Sequence, residues 1–125
     1  PVAAGLATLN HDPAILSEFE REFRRLAEKP TKDYPAMSEV GKRFHRFLFD
    51  CTRNQRLINI LDNLNKQMDR IRTIFCLLVP PAYNDKALNQ HLSIIESIKN
   101  GDQKGAEDNM RQHISNYFEI LKDMV

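Results

Sequence analysis

No stretch of this 125-residue chain is apolar over the roughly 20 residues that a bilayer span requires. The longest apolar run, Ile74 to Val79, stops at Pro80-Pro81. Pro1 to Leu9 is short and carries no basic residue, so it does not read as a signal peptide. The expectation is a cytoplasmic protein with no membrane contact. An excess of one charge is also missing: Lys plus Arg number 18 and Asp plus Glu 17, a formal net charge of +1. Phosphate binding normally leaves a basic footprint, so the chain does not read as a nucleic-acid binder by itself. Its small basic clusters (Arg24-Arg25, Lys42-Arg43, Arg70 with Arg72) are interleaved with acids and read as solvated helix faces. Cysteine is scarce. Cys51 and Cys76 lie in apolar surroundings, with no CxxC and no activating histidine beside them, which fits small buried thiols and no thiol chemistry. No segment alternates apolar and polar for long, and there is no internal repeat, low-complexity tract or linker. One domain with a real core, and without strands, is what remains.

Helical patterns fill the chain. Asp12-Pro13 is a helix start, with Asp12 as N-cap and Pro13 in the first turn, where its missing N–H does no harm. Ile15, Phe19, Phe23 and Leu26 then form one apolar stripe up to about Glu28, and Lys29-Pro30 ends it. The next helix opens near Pro35, with Met37, Val40, Phe44, Phe47, Leu48 and Cys51 on its buried face. Thr52-Arg53-Asn54 reads as a short break, with Asn54 as the cap of another helix. Leu57, Leu61, Leu64, Met68, Ile71, Phe75 and Leu78, at near-heptad spacing, predict that this helix is long and central to a bundle. Two more helices come after it, about 85–99 and about 103–122. Leu88, Leu92, Ile95 and Ile98 face the core on the first; Ala106, Met110, Ile114, Tyr117, Phe118 and Leu121 do so on the second. The Ala-Ala-Gly-Leu-Ala near the start reads as the tail of a truncated helix. The expected fold is an all-α antiparallel bundle of about six helices.

Asn100-Gly101-Asp102 stops one helix and starts the next, Gly101 in the left-handed conformation and Asp102 as the new cap. The resulting hairpin sets His91 and His113 level, each roughly 15 Å from the turn at 1.5 Å per residue. Both border apolar stripes, as does His45 between Phe44 and Leu48; His11 falls in a loop and is expected to be exposed. Converging neutral imidazoles suit a divalent transition metal such as Zn, Ni, Fe or Mn. A histidine on an apolar face is otherwise a core or edge residue, and spacing alone leaves both readings open.

Several segments resemble one family. They are Phe44-His45, Cys51-Thr52-Arg53-Asn54, the long helix from Leu57 with Arg70 and Arg72 near its end, and the closing series His91, Ile94-Ile95, Ile98, Gly101-Asp102, Ala106, Met110 and His113. Over about residues 12 to 115 the chain resembles the FCD ligand-binding domain of GntR-type bacterial transcription regulators, the FadR-like subfamily. The resemblance implies a bundle that homodimerises around a central ligand cavity. It also implies a metal held by three histidines and an Asp, and a small organic acid effector. His45, His91 and His113 carry over as metal ligands. The Asp does not, because Gly41 stands one turn before His45, and Glu39 and Asp50 point off that face.

For the effector, Arg70 and Arg72 are candidates because guanidinium pairs bidentately with carboxylate. Asn109, one turn before His113, and Asn65 and Tyr83 are candidates for polar contacts. Phe47 and Phe49 are candidate dimer contacts. No organic cofactor is implied. The family's winged-helix head precedes this domain and lacks a counterpart here, so operator DNA is expected to be reached only through that head. An enzyme is not expected: there is no HExxH or Glu-x-x-His, and Glu96 and Asp108 are rotated off the faces of His91 and His113. A small helical metalloenzyme and a ligand-free interaction module are the alternative readings.

Overall fold

The computed structural model describes residues 2–78 and 81–124, and within them the side chains other than those of 67, 68, 70–83, 117, 118 and 120–124. Six helices succeed one another: α1 (Val2–Ala7), α2 (Pro13–Glu28), α3 (Tyr34–Asp50), α4 (Gln55–Leu78), α5 (Pro81–Lys99) and α6 (Gln103–Met124). No strand occurs among the described residues, and the architecture is an all-α bundle.

Local chemistry accounts for the helix ends. The Asp12 carboxylate accepts the Ala14 N–H at 2.9 Å, and Asp33 accepts that of Ala36 at 3.0 Å, each with a proline in the first turn. Lys29, which precedes Pro30, turns extended and closes α2. Arg53 takes φ 54°, and Asn54 then accepts the N–H groups of Arg56 and Leu57 at 3.1 and 3.2 Å to open α4. At the α5–α6 turn Gly101 takes φ 69°. The N–H of Asp102 reaches Ser97 O at 2.8 Å and that of Gly101 reaches Ile98 O at 3.1 Å, the paired bonds that terminate a helix through a left-handed residue. Asp102 Oδ1 then caps α6 by accepting from Gly105 N at 2.9 Å.

Packing puts α3 and α5 at the centre. Helix α3 touches α1, α2, α4 and α5, while α5 touches α1, α2, α3 and α6. Phe23, Phe44, Leu48, Ile94 and Ile95 are fully buried between them. Burial of a side chain of this size contributes about 1.5–3 kcal/mol each, so this layer dominates the stability of the bundle. Phe44 meets Phe19 and Phe23 edge-on at 5.5 and 5.6 Å.

Three expectations are corrected. On α2 the buried face runs through Leu16, 1% exposed, rather than Ile15, 42% exposed. Phe47 is a core residue packed on Phe19 and Phe44, not a free surface contact. Helix α4 is peripheral among the described residues: its packing partner is α3, Ile58 is its buried side chain, and Leu57, Ile60 and Leu64 face outward. An apolar stripe fixes that one face of a helix is covered, not by which molecule. The inner side of α4 is tied to α3 by ion pairs, Arg46 to Asp62 and Lys42 to Asp69.

Candidate metal centre

The three helices that meet at the core each contribute one histidine. His45 stands on α3 one turn after Gly41, His91 on α5 after Leu88, and His113 on α6 after Met110. The hairpin turn at Gly101 sets α5 and α6 in the register that makes His91 and His113 level, as the sequence implied. His91 Nε2 lies 3.2 Å from His45 Nε2 and 3.1 Å from His113 Nε2. The three ligand atoms all fall within 4.8 Å of one another. His91 and His113 are buried, and His45 is half-buried.

Gly41 has a positive role here. A Cβ at this position would sit 3.0 Å from His91 Cε1. The bare backbone of α3 therefore leaves the space that the His91 ring fills. On its other sides that ring packs against Phe23 and Phe44, with centroids 4.9 and 5.6 Å away. His91 is thus held by shape, between two aromatic rings and a glycine.

Burial, with the neighbouring His45 and His113 adding to it, pushes His91 well below the ordinary imidazole range. Burial alone lowers His113 to about 4. At neutral pH both are therefore uncharged and each carries a single ring proton. His113 Nδ1 lies 2.8 Å from Gln90 Oε1. A carbonyl oxygen can only accept, so the His113 proton sits on Nδ1 and its Nε2 turns a lone pair into the cluster; this tautomer is assigned from the hydrogen-bond network. One proton on His91 Nε2 cannot fully serve two nitrogen neighbours at once. The cluster thus brings the Nε2 lone pair of His113 against two further imidazole nitrogens, a set of donors that could hold a metal. With metal–nitrogen bonds of about 2.0–2.1 Å, neighbouring donors in a tetrahedral or octahedral shell stand roughly 3 Å apart. The observed Nε2 separations of 3.1 and 3.2 Å fit that spacing.

No carboxylate joins the three histidines among the described residues. Glu96 is exposed and accepts from Asn100, and Asp108 is exposed and pairs with Arg111. Neither is placed as a general base beside the cluster. Of the other candidates, Asn109 donates its amide to Ser97 Oγ at 3.0 Å and to Ser93 O at 3.5 Å, which fastens α6 to α5. Asn65 is half-buried on α4. The side chains of Arg70, Arg72, Tyr83 and Cys76 lie outside the described residues. Cys51 is buried, with its thiol pushed up to about 11, mainly by burial, which suits an inert core residue. His11 is half-buried rather than exposed, its Nδ1 2.7 Å from Ala7 O.

Gln90 was not among the expected site residues. Its one sequence signal is positional: Gln90 and His113 are equidistant from the Gly101–Asp102 peptide, so a hairpin places them opposite each other.

The bundle gathers three histidines from three helices into a possible metal site. Residues 1–116 match the model of the FCD domain, and the chain belongs to that family, the effector-binding domain of GntR-type transcription regulators. Comparison with curated proteins and with solved structures gave no match.

Proposed function

We propose that this is the effector-sensing and dimerisation domain of a GntR/FadR-type regulator. In this reading a small organic acid, bound together with a divalent transition metal (Zn, Ni, Fe or Mn), controls DNA binding by a winged-helix head. The convergence of three Nε2 atoms from α3, α5 and α6 carries the reading. His45, His91 and His113 would hold the metal, and the ion would supply the positive charge that attracts a carboxylate.

The charge balance supports an acid as effector. Three neutral imidazoles leave the charge of a divalent ion uncompensated in a site walled by Phe23 and Phe44. Burying such a charge is unfavourable without an anion. The 70–83 stretch, which holds the candidates Arg70, Arg72 and Tyr83, contains no acidic residue in sequence, so it adds none to the balance. Those three, with Asn65, are the side chains proposed to contact the effector; Asn109 supports the α5–α6 pair instead. Because the histidines belong to three helices, drawing their ring nitrogens together acts on the packing of all three. The effector shifts the regulator only as far as it binds one arrangement better than another. For dimerisation, the outward apolar face of α4, Leu57, Ile60 and Leu64, offers the surface that Phe47 does not.

The test is elemental analysis of protein purified without a histidine tag or chelator, beside a His113→Ala control. About one equivalent of transition metal, lost in the control, is the expected result. Adding an organic acid at about 100 times its Kd should then stabilise the metal-loaded protein by about 2.7 kcal/mol. Absence of metal from both proteins, even after incubation with Zn, Ni or Mn, would refute the proposed centre.

A further inference from the structure

A metal-binding histidine works only if the correct ring nitrogen is free of its proton, and that choice is made by whatever the other nitrogen touches. For His113 the touching group is Gln90 Oε1, 2.8 Å from Nδ1. We infer that Gln90 is a positioning residue: its amide oxygen fixes the Nδ1–H tautomer of His113 and thereby aims the Nε2 lone pair at His91 and His45. The inference rests on the metal reading for its purpose, but the tautomer itself can be tested without any metal.

Three observations carry it. His113 is only 8% exposed, and a buried imidazole N–H requires an acceptor inside the protein. Gln90 is half-buried on α5, opposite His113 across the hairpin, so both ends of the contact are held by helix rather than loop. Gln90 also directly precedes His91. One stretch of α5 therefore supplies a ligand and, on the neighbouring residue, the group that prepares the ligand on α6. A shift of α5 against α6 would disturb both at once, which ties the quality of the site to the packing of this helix pair. The Asn109 amide on Ser97 braces the same pair nearer the turn.

A glutamine is a suitable acceptor here. It is neutral, so it adds no charge to a site whose nearby acids, Glu96 and Asp108, are turned to solvent. A glutamate at the same place would accept the same N–H more strongly. A leucine of similar length would remove the acceptor and leave Nδ1–H without a partner, which favours moving the proton to Nε2, where it blocks coordination.

The experiment has two readouts on three proteins: unsubstituted, Gln90→Glu and Gln90→Leu. Long-range ¹⁵N–¹H correlation spectra of the metal-free proteins report which nitrogen of His113 holds the proton. Competition against a chromophoric chelator gives the affinity for Zn²⁺ alone. The expected result is an Nδ1–H tautomer in the unsubstituted protein, kept in Gln90→Glu and lost in Gln90→Leu. Zn²⁺ affinity should be retained in Gln90→Glu and fall about 10- to 100-fold in Gln90→Leu. An Nε2–H tautomer in the unsubstituted protein, which the reversed amide would produce, overturns the inference whether or not any variant folds. Equal Zn²⁺ affinity in the unsubstituted and Gln90→Leu proteins also overturns it. Absence of Zn²⁺ uptake by the unsubstituted protein would refute the metal reading, and the tautomer spectra would then decide the role of Gln90 by themselves.

Discussion

Acid should destabilise the metal-free protein through His113 more than through any exposed group. Burial lowers this imidazole from its ordinary 6.5 to about 4 in the folded state. The sign comes from proton counting. Between pH 6.5 and 4 the unfolded chain holds a proton on His113 that the folded chain does not, so stability falls as pH falls. Above about pH 6.5 neither state is protonated and the contribution is flat. Below about pH 4 both are protonated and the loss levels off. Working the two titrations between pH 7 and pH 4.5 gives a loss of about 2 kcal/mol from this one residue. His91, lowered by the same burial and by its two histidine neighbours, acts in the same direction. Exposed carboxylates also respond to acid, so the useful quantity is a difference. Urea unfolding followed by circular dichroism, with chelator present, should be run at both pH values on the unsubstituted protein and on His113→Gln. The unsubstituted protein should lose about 2 kcal/mol more than the variant across that interval. Equal losses would show that His113 is not a buried neutral imidazole, and the lone-pair argument for the centre would fail with it.

At Gly41, substitution by Ala sets two effects against each other. The helix interior gains about 1 kcal/mol of propensity, but the new Cβ sits 3.0 Å from His91 Cε1 and must displace a ring held by Phe23 and Phe44. The expected outcome is little net gain in urea-unfolding free energy together with a Zn²⁺ affinity reduced at least tenfold; unchanged affinity would mean that the His91 position is not critical. If α4 forms the dimer surface, Ile60→Glu, at a residue 51% exposed, should leave the melting temperature within a few degrees. Light scattering should show it shifted toward monomer, and an unaltered dimer would place the interface elsewhere.

The parts of this molecule that were legible in its sequence are those fixed by local chemistry. Asp12-Pro13, Asn54 and Gly101-Asp102 mark helix boundaries because each satisfies backbone groups within a few residues of itself. The Gly101 turn also made the level of His91 and His113 readable, since register in a short hairpin is a matter of counting. What was not legible depends on which neighbour covers a face. Ile15 and Leu16 are adjacent and equally apolar, and only the direction from which α3 and α5 approach decides between them. The outward stripe of α4 has the same origin. Gly41 illustrates the limit best. In sequence it reads as the loss of a carboxylate, because the resemblance supplies an expectation for that position. In three dimensions the missing Cβ leaves room for the His91 ring, so the residue that offers no anionic donor also makes space for one of the three imidazoles. In the proposed centre the same residue thus withholds a fourth ligand while it accommodates the close approach of the His91 ring to α3. Under the proposed reading, a divalent ion held by these three imidazoles alone would need an anion from outside the chain to balance its charge, and an organic acid effector would supply it.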